Sequence, residues 1–213
     1  MASVTANGIT IEYEDEGSGE PLLLVMGLSG QLIDWPRDFV DKLLAKGVRI
    51  KDLKLKGTST TLKRGIIAKG FRVIRFDNRD AGLSTEFPDT PPSMRAMSLG
   101  SMIGRKPRTA YQLTDMADDA VGLLDALGIE RAHVVGISMG GMIAQTLVIH
   151  HPDRVLSLTS IMSTTGNRLK GRPKPSLLMK ASRLPVRTKQ NAAEVGMQIW
   201  RLISGPHLDE EEV

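Results

Sequence analysis

The chain contains no cysteine. That excludes a disulfide-stapled scaffold, a thiol nucleophile and any thiolate metal centre. Aromatic residues are nearly as scarce: four Phe, two Tyr and two Trp leave few flat surfaces on which nucleobases could stack. No apolar run approaches the roughly 18 residues that a membrane span requires. The opening residues 1–8 (MASVTANG) carry neither the basic stretch nor the apolar stretch of a secretory signal. These absences predict a soluble, cytoplasmic protein with no membrane span. Its 213 residues suffice to bury one sizeable core.

The net charge of +4 is unevenly placed. Between Val48 and Gly70 stand seven basic residues (Arg49, Lys51, Lys54, Lys56, Lys63, Arg64 and Lys69) against one acid, Asp52, a local balance of +6 that leaves −2 for the rest. Arg168 to Lys189 adds eight basic residues with no acid, and Asp209 to Glu212 is acidic. Confined to short segments and without interleaved aromatics, this charge reads as solvated surface. Nucleic acid is not the expected partner.

Apolar and polar residues alternate from Ile9 to Tyr13, the period-two mark of a half-buried strand. Leu22 to Met26 is an uninterrupted apolar run, as expected where both faces of a sheet are covered. A helix is predicted from about Trp35 to Lys46, stopped by Gly47, and a strand over Phe71–Phe76. Residues 87–108 hold four prolines and read as a loop bordering a pocket. Thr114 is the predicted N-cap of a helix whose apolar stripe is Met116, Ala120, Leu123, Leu124 and Leu127, with Gly128 as its stop. A short strand over Ala132–Val135, a buried helix from Met142 to about His150 and a strand over Val155–Ile161 follow. Beyond Thr164, weak helices are broken by Pro173, Pro175 and Pro185. Strands alternating with helices predict a mostly parallel α/β sheet.

The sharpest motif is Gly136-Ile137-Ser138-Met139-Gly140, followed by Gly141. Gly-x-Ser-x-Gly by itself is a weak pattern. Here it sits after a short apolar strand and at the start of a buried helix, where a sharp turn holds the serine hydroxyl clear of the sheet. The helix start behind it offers backbone N–H groups and a positive dipole end to a developing oxyanion. A dinucleotide fingerprint does not fit, because Ser138 stands where the second glycine must admit a pyrophosphate.

With this motif the chain resembles the α/β-hydrolase family, in particular small bacterial esterases of the aclacinomycin methylesterase kind. The matching stretches are Leu22–Leu28 (LLLVMGL), Asp34-Trp35-Pro36, Val73–Thr85 (VIRFDNRDAGLST) and His133–Gly141 (HVVGISMGG), in the family's order and covering nearly all of the chain except residues 48–70. The resemblance implies that Ser138 is the nucleophile and that the backbone N–H groups of Leu28 and Met139 form the oxyanion hole. Family members commonly carry His-Gly where this chain has Met26-Gly27. The donor is the backbone of the following residue, so the hole survives that change. Asp77 and Arg79 match a turn motif that is structural rather than catalytic.

Two departures stand out. In this fold the triad runs Ser, then Asp or Glu, then His. His133 precedes the serine, and His150 and His151 fall at the far end of the helix that Ser138 starts, roughly 18 Å away at 1.5 Å per residue. His207 is the one histidine left as a candidate base, in a stretch that resembles the family's helical cap. The strands that bear the acid and the Gly-His loop are expected to be missing. The second departure is residues 48–70, bracketed by Ala45-Lys46-Gly47 and Ala68-Lys69-Gly70; splicing one onto the other restores the family's helix-to-strand join. Strand-like alternation is expected over Val48–Leu55, and a helical turn over Leu62–Ala68.

The sequence thus predicts an α/β-hydrolase-type, mostly parallel sheet with flanking helices, lacking its C-terminal strands and with an incomplete cap. The core is residues 1–163, with 48–70 as an insertion, and a partial helical cap occupies 164–213. The expected activity is serine-dependent hydrolysis of small carboxylic esters, with no cofactor and no metal. The competing expectation is an impaired hydrolase-like domain that binds small apolar molecules. A sheet edge left unpaired would also invite pairing with a second copy.

Overall fold

Leu22, Leu23, Leu24 and Val25 are all buried, and their neighbours alternate strictly. Leu22 and Leu24 pack with Trp35, Phe39, Val40 and Leu43 on one face of the sheet. Leu23 and Val25 pack on the other face with Leu123, Leu124, Ile143 and Leu147. An apolar run of period one therefore becomes a strand clothed on both sides, with about 1.5–3 kcal/mol for each large side chain fully withdrawn from water.

In the computed structural model the described residues are 1–28, 30–45, 48–49, 66–67, 70–88, 109–167, 175–181, 183–185 and 191–203. The strands are β1 (Ala2–Ala6), β2 (Ile9–Glu16), β3 (Glu20–Val25), β6 (Phe71–Phe76), β7 (Ala132–Ile137) and β8 (Val155–Ile161), in the sheet order β1-β2-β6-β3-β7-β8. β1–β2 and β2–β6 pair antiparallel; β6–β3, β3–β7 and β7–β8 pair parallel. Helix α1 (Arg37–Leu44) covers one face, while α2 (Leu113–Ala126) and α3 (Met139–His150) cover the other. Two further helices, α4 (Pro175–Ala181) and α5 (Ala192–Ile203), follow β8. The result is a mostly parallel mixed sheet between helical layers, as the sequence predicts.

Several boundaries differ from the sequence expectation. The first helix starts at Arg37, because Pro36 precedes it and holds Trp35 extended (ψ 118°). Trp35 is buried at 2% exposure, outside any helix, and stacks on Phe39 at 5.7 Å. Helix α2 is capped at Gln112 rather than Thr114: the Gln112 N–H donates to the Asp115 carboxylate at 2.6 Å, the back-half of a capping box. Helix α3 begins three residues earlier than expected, directly after Ser138. β1, not foreseen, pairs with β2 to form the antiparallel edge.

Of residues 48–70, Val48–Arg49 (β4) pairs antiparallel with Ile66–Ile67 (β5). The helical turn expected over 62–68 is therefore strand at 66–67, as two consecutive β-branched residues favour. Residues 50–65, the proline-rich loop from 89 to 108 and His207 lie outside the described residues.

Among the described residues, β8 has a paired strand on one side only. It exposes Leu156 and Leu158, and Ile149 of α3 is 74% exposed. The second half of α3 is thus less buried than its apolar sequence predicts.

Candidate functional site

The loop between β7 and α3 is a single residue, Ser138. It holds φ 55° and ψ −120°, a conformation that residues with a side chain rarely adopt, and it is exposed. Three contacts maintain the turn. The Ser138 N–H donates to the Ile161 carbonyl at the end of β8 (2.8 Å), and the Ser138 carbonyl accepts from the Gly141 N–H (3.0 Å). The third is the close approach of backbone made possible by glycine. A Cβ on Gly136 would fall 2.2 Å from the Gly140 carbonyl oxygen, and one on Gly140 would fall 2.1 Å from that of Val25. The spacing of the glycines around Ser138 is thus a requirement of helix packing against the strand ends.

The loop after β3 lies against the same serine. A Cβ placed on Gly27 would stand 3.1 Å from Ser138 Cβ and 3.6 Å from its Oγ. The Gly30 N–H donates to the Gly27 carbonyl at 3.2 Å, closing a turn in which Leu28 is the second residue. Among the described residues the Leu28 N–H has no acceptor. The Met139 N–H is the first of α3 and has no acceptor within the helix. Two uncommitted donors, from Leu28 and Met139, therefore come from the two segments that meet at the serine hydroxyl. Both expected oxyanion residues belong to this neighbourhood. The Leu28 side chain is 75% exposed and that of Met162, just beyond β8, is 57% exposed, so apolar surface flanks the turn.

The described histidines are elsewhere. His133 bridges Ser157 (2.7 Å) and Glu20 (3.3 Å) at the opposite end of the strands, and His151 pairs with Asp118 at 2.7 Å. His150 ends α3. Among the described residues no group of three or more His, Asp or Glu side chains could hold a metal ion, and no helix is long and apolar enough to cross a membrane.

The turn after β6 is built from buried polar groups. Arg79 and Asp119, 7% and 2% exposed, are joined by two hydrogen bonds (2.6 and 2.7 Å), and Asn7 adds a third to the same carboxylate at 2.8 Å. Burial opposes the Arg79 charge, but the Asp119 carboxylate more than offsets it, and the guanidinium is held above its ordinary range. Phe87 and Tyr111 lie over the Arg79 guanidinium at 5.2 and 4.9 Å. Burial, then the 2.5 Å bond to Asp80, pushes the ionisation of Tyr111 well above its usual value. Two residues of this turn reach the loop beside Ser138. The Asp77 carboxylate accepts the Leu32 N–H at 2.7 Å, and the Asn78 amide donates to the Met26 carbonyl at 3.0 Å. Sequence reading identified Asp77 and Arg79 as structural but passed over Asn78. Nothing local links Asn78 to a residue 52 positions earlier.

The profile of the alpha/beta hydrolase fold matches residues 20–193. Rhodomycin D methylesterase DauP from Streptomyces sp. (strain C5) is 28% identical over 223 aligned residues, covering 95% of this chain and 61% of that protein. Rhodomycin D methylesterase DnrP from Streptomyces peucetius is 27% identical over 225, again covering 95% and 61%. The chain therefore spans about three fifths of the length of these curated relatives. Among solved structures, a membrane phospholipase A described as a bacterial virulence factor superposes with a TM-score of 0.61 at 22% identity, over 94% of this chain and 50% of that one. A thermophilic esterase from Thermogutta terrifontis, with malate bound, gives 0.55 at 22%, over 86% and 52%. At such identities these two likenesses speak for the fold.

Proposed function

The chain belongs to the α/β-hydrolase fold family, and from that premise we propose that it is a serine hydrolase of small carboxylic esters in which Ser138 is the nucleophile. The observation that carries this reading is the backbone of Ser138. A non-glycine residue at φ 55°, exposed at a one-residue junction of strand and helix, carries local backbone strain. Such a conformation suits a hydroxyl that must be presented to a substrate. The two relatives named above are methylesterases, and the apolar side chains of Leu28 and Met162 suit the carbon skeleton of an ester.

In this mechanism the Ser138 hydroxyl attacks the ester carbonyl and forms a tetrahedral adduct. The negative oxygen of that adduct accepts hydrogen bonds from the Leu28 and Met139 N–H groups, at the positive end of α3. The adduct collapses as the ester C–O bond breaks and the leaving oxygen takes back the proton that Ser138 gave up, so the alcohol departs and an acyl group stays on Ser138. Water then attacks the acyl carbon and releases the acid. The serine proton needs an acceptor within about 3 Å. Of the four histidines in this sequence, His133 and His151 are engaged elsewhere and His150 stands at the far end of α3, so His207 is the one to test for that role.

The deciding experiment measures hydrolysis of p-nitrophenyl acetate by the chain beside Ser138→Ala. Loss of turnover by at least about a hundredfold is expected. Equal rates for both proteins, near the uncatalysed background, would remove the proposal. A further variant, His207→Ala, lowers turnover if that residue accepts the proton and leaves it unchanged if it does not.

A further inference from the structure

The segment that supplies the Leu28 N–H runs from the end of β3 to the 3-10 turn Leu32–Asp34. A loop of this kind is accurate only if something outside it sets its position, because a hydrogen-bond donor displaced by a fraction of an ångström loses much of its effect on a transition state. The turn after β6 holds it on both sides of Leu28. On the near side, the Asn78 amide donates to the Met26 carbonyl at 3.0 Å. On the far side, Asp77 Oδ1 accepts the Leu32 N–H at 2.7 Å. Asp77 and Asn78 are 3% and 4% exposed, so water does not compete well for either bond.

The clamp is itself braced. Asp77 Oδ2 accepts the Leu83 N–H at 3.1 Å, the Asp77 carbonyl accepts the Ser84 hydroxyl at 2.7 Å, and the Asp77 N–H donates to the Glu12 carbonyl at 3.0 Å. Both carboxylate oxygens and both backbone groups of Asp77 are therefore committed. Between the two clamped points, the Gly27–Gly30 turn leaves the Leu28 N–H without an acceptor among the described residues, and Gly27 lies against Ser138.

From this arrangement we infer that Asp77 and Asn78 are positioning residues: they touch no substrate, and they set the place of the Leu28 N–H over the carbonyl oxygen of the adduct on Ser138. The inference rests on the proposed role of Ser138 and goes beyond it, since the neighbouring Arg79–Asp119 pair, equally buried, reaches no part of that loop. Two residues adjacent in sequence to a structural ion pair thus have a different task from it.

The test compares Asn78→Ala, Asn78→Asp and Asp77→Asn with Arg79→Lys in the whole chain. It uses p-nitrophenyl acetate hydrolysis, inhibition by a short alkylboronic acid that forms a tetrahedral adduct on serine, thermal unfolding, and amide exchange at Leu32. Asn78→Ala is expected to lower kcat about tenfold to a hundredfold with KM within twofold, and to weaken boronate inhibition by the same factor. Asp77→Asn is expected to speed Leu32 exchange at least about tenfold. Arg79→Lys is expected to lower Tm as much or more while kcat stays within twofold. Folded Asn78 and Asp77 variants with wild-type kcat, or a loss of kcat that tracks Tm across all four variants, would overturn the inference. If Asn78→Ala does not fold, Asn78→Asp, which keeps the side-chain size and lacks the donor, decides on the same criteria. Activity unaffected by Ser138→Ala would instead mark failure of the underlying hydrolase proposal, and the positioning role would fall with it.

Discussion

The N–H of Ser138 donates to the carbonyl of Ile161 at 2.8 Å, so the residue that turns the chain from β7 into α3 is tied to the last residue of β8. The serine is held by a neighbouring strand as well as by its own. That tie, together with the packing of Gly136 against Gly140, keeps Ser138 in a conformation that an isolated chain would leave.

The strain at Ser138 costs on the order of 1–3 kcal/mol. Ser138→Gly removes it, at some expense in chain entropy. The variant is expected to be more stable than the wild type by about 1 kcal/mol, a rise in Tm of about 2–4 °C, while losing ester hydrolysis. Ser138→Ala keeps the strain and should show no such gain. A Ser138→Gly protein that melts below the wild type would show that the backbone there is relaxed.

Two glycines should respond very differently to a methyl group. Gly140→Ala places a Cβ 2.1 Å from the Val25 carbonyl oxygen, so strand or helix must move. A loss of about 3 kcal/mol or more is expected in urea unfolding. Gly128 has φ 67° with no atom within 4 Å of a built Cβ. There the cost is confined to the left-handed conformation, about 1–2 kcal/mol. Comparable midpoints for the two variants would contradict the packing described at the elbow.

The Arg79–Asp119 pair predicts asymmetry between single and double replacement. Asp119→Ala leaves a guanidinium buried without its carboxylate and should destabilise by about 3–5 kcal/mol. Replacing both residues by apolar ones, as Arg79→Met with Asp119→Leu, should cost clearly less than the single change. Equilibrium denaturation of the three proteins measures this, and additive losses would argue against a coupled buried pair.

The legibility of the chain followed the range of the interactions involved. The strands at Phe71–Phe76 and Val155–Ile161 are readable to the residue, because each is a short stretch of mostly β-branched, aliphatic or aromatic residues that follows a turn signal, Gly70 or Pro152-Asp153. The elbow was readable because strand, glycine-flanked serine and apolar helix are contiguous. The start of α2 was misplaced by two residues: Thr114 is the better N-cap by type, but Asp115 reaches back to Gln112. The turn Asp77–Ser84 could be recognised as a motif, yet its bonds to Met26 and Leu32 span about 50 residues and leave no periodic trace.

Residue type and near-neighbour spacing therefore suffice for the class of fold and for the strand–turn–helix that carries Ser138. Only the tertiary structure decided the strand order β1-β2-β6-β3-β7-β8, the placing of the Leu28 loop against Ser138 and the assignment of Asp77 and Asn78 to that loop. Hydrogen bonds between segments distant in the chain are selected by the packing of whole elements, and no local pattern of residues encodes which carbonyl a buried amide will find.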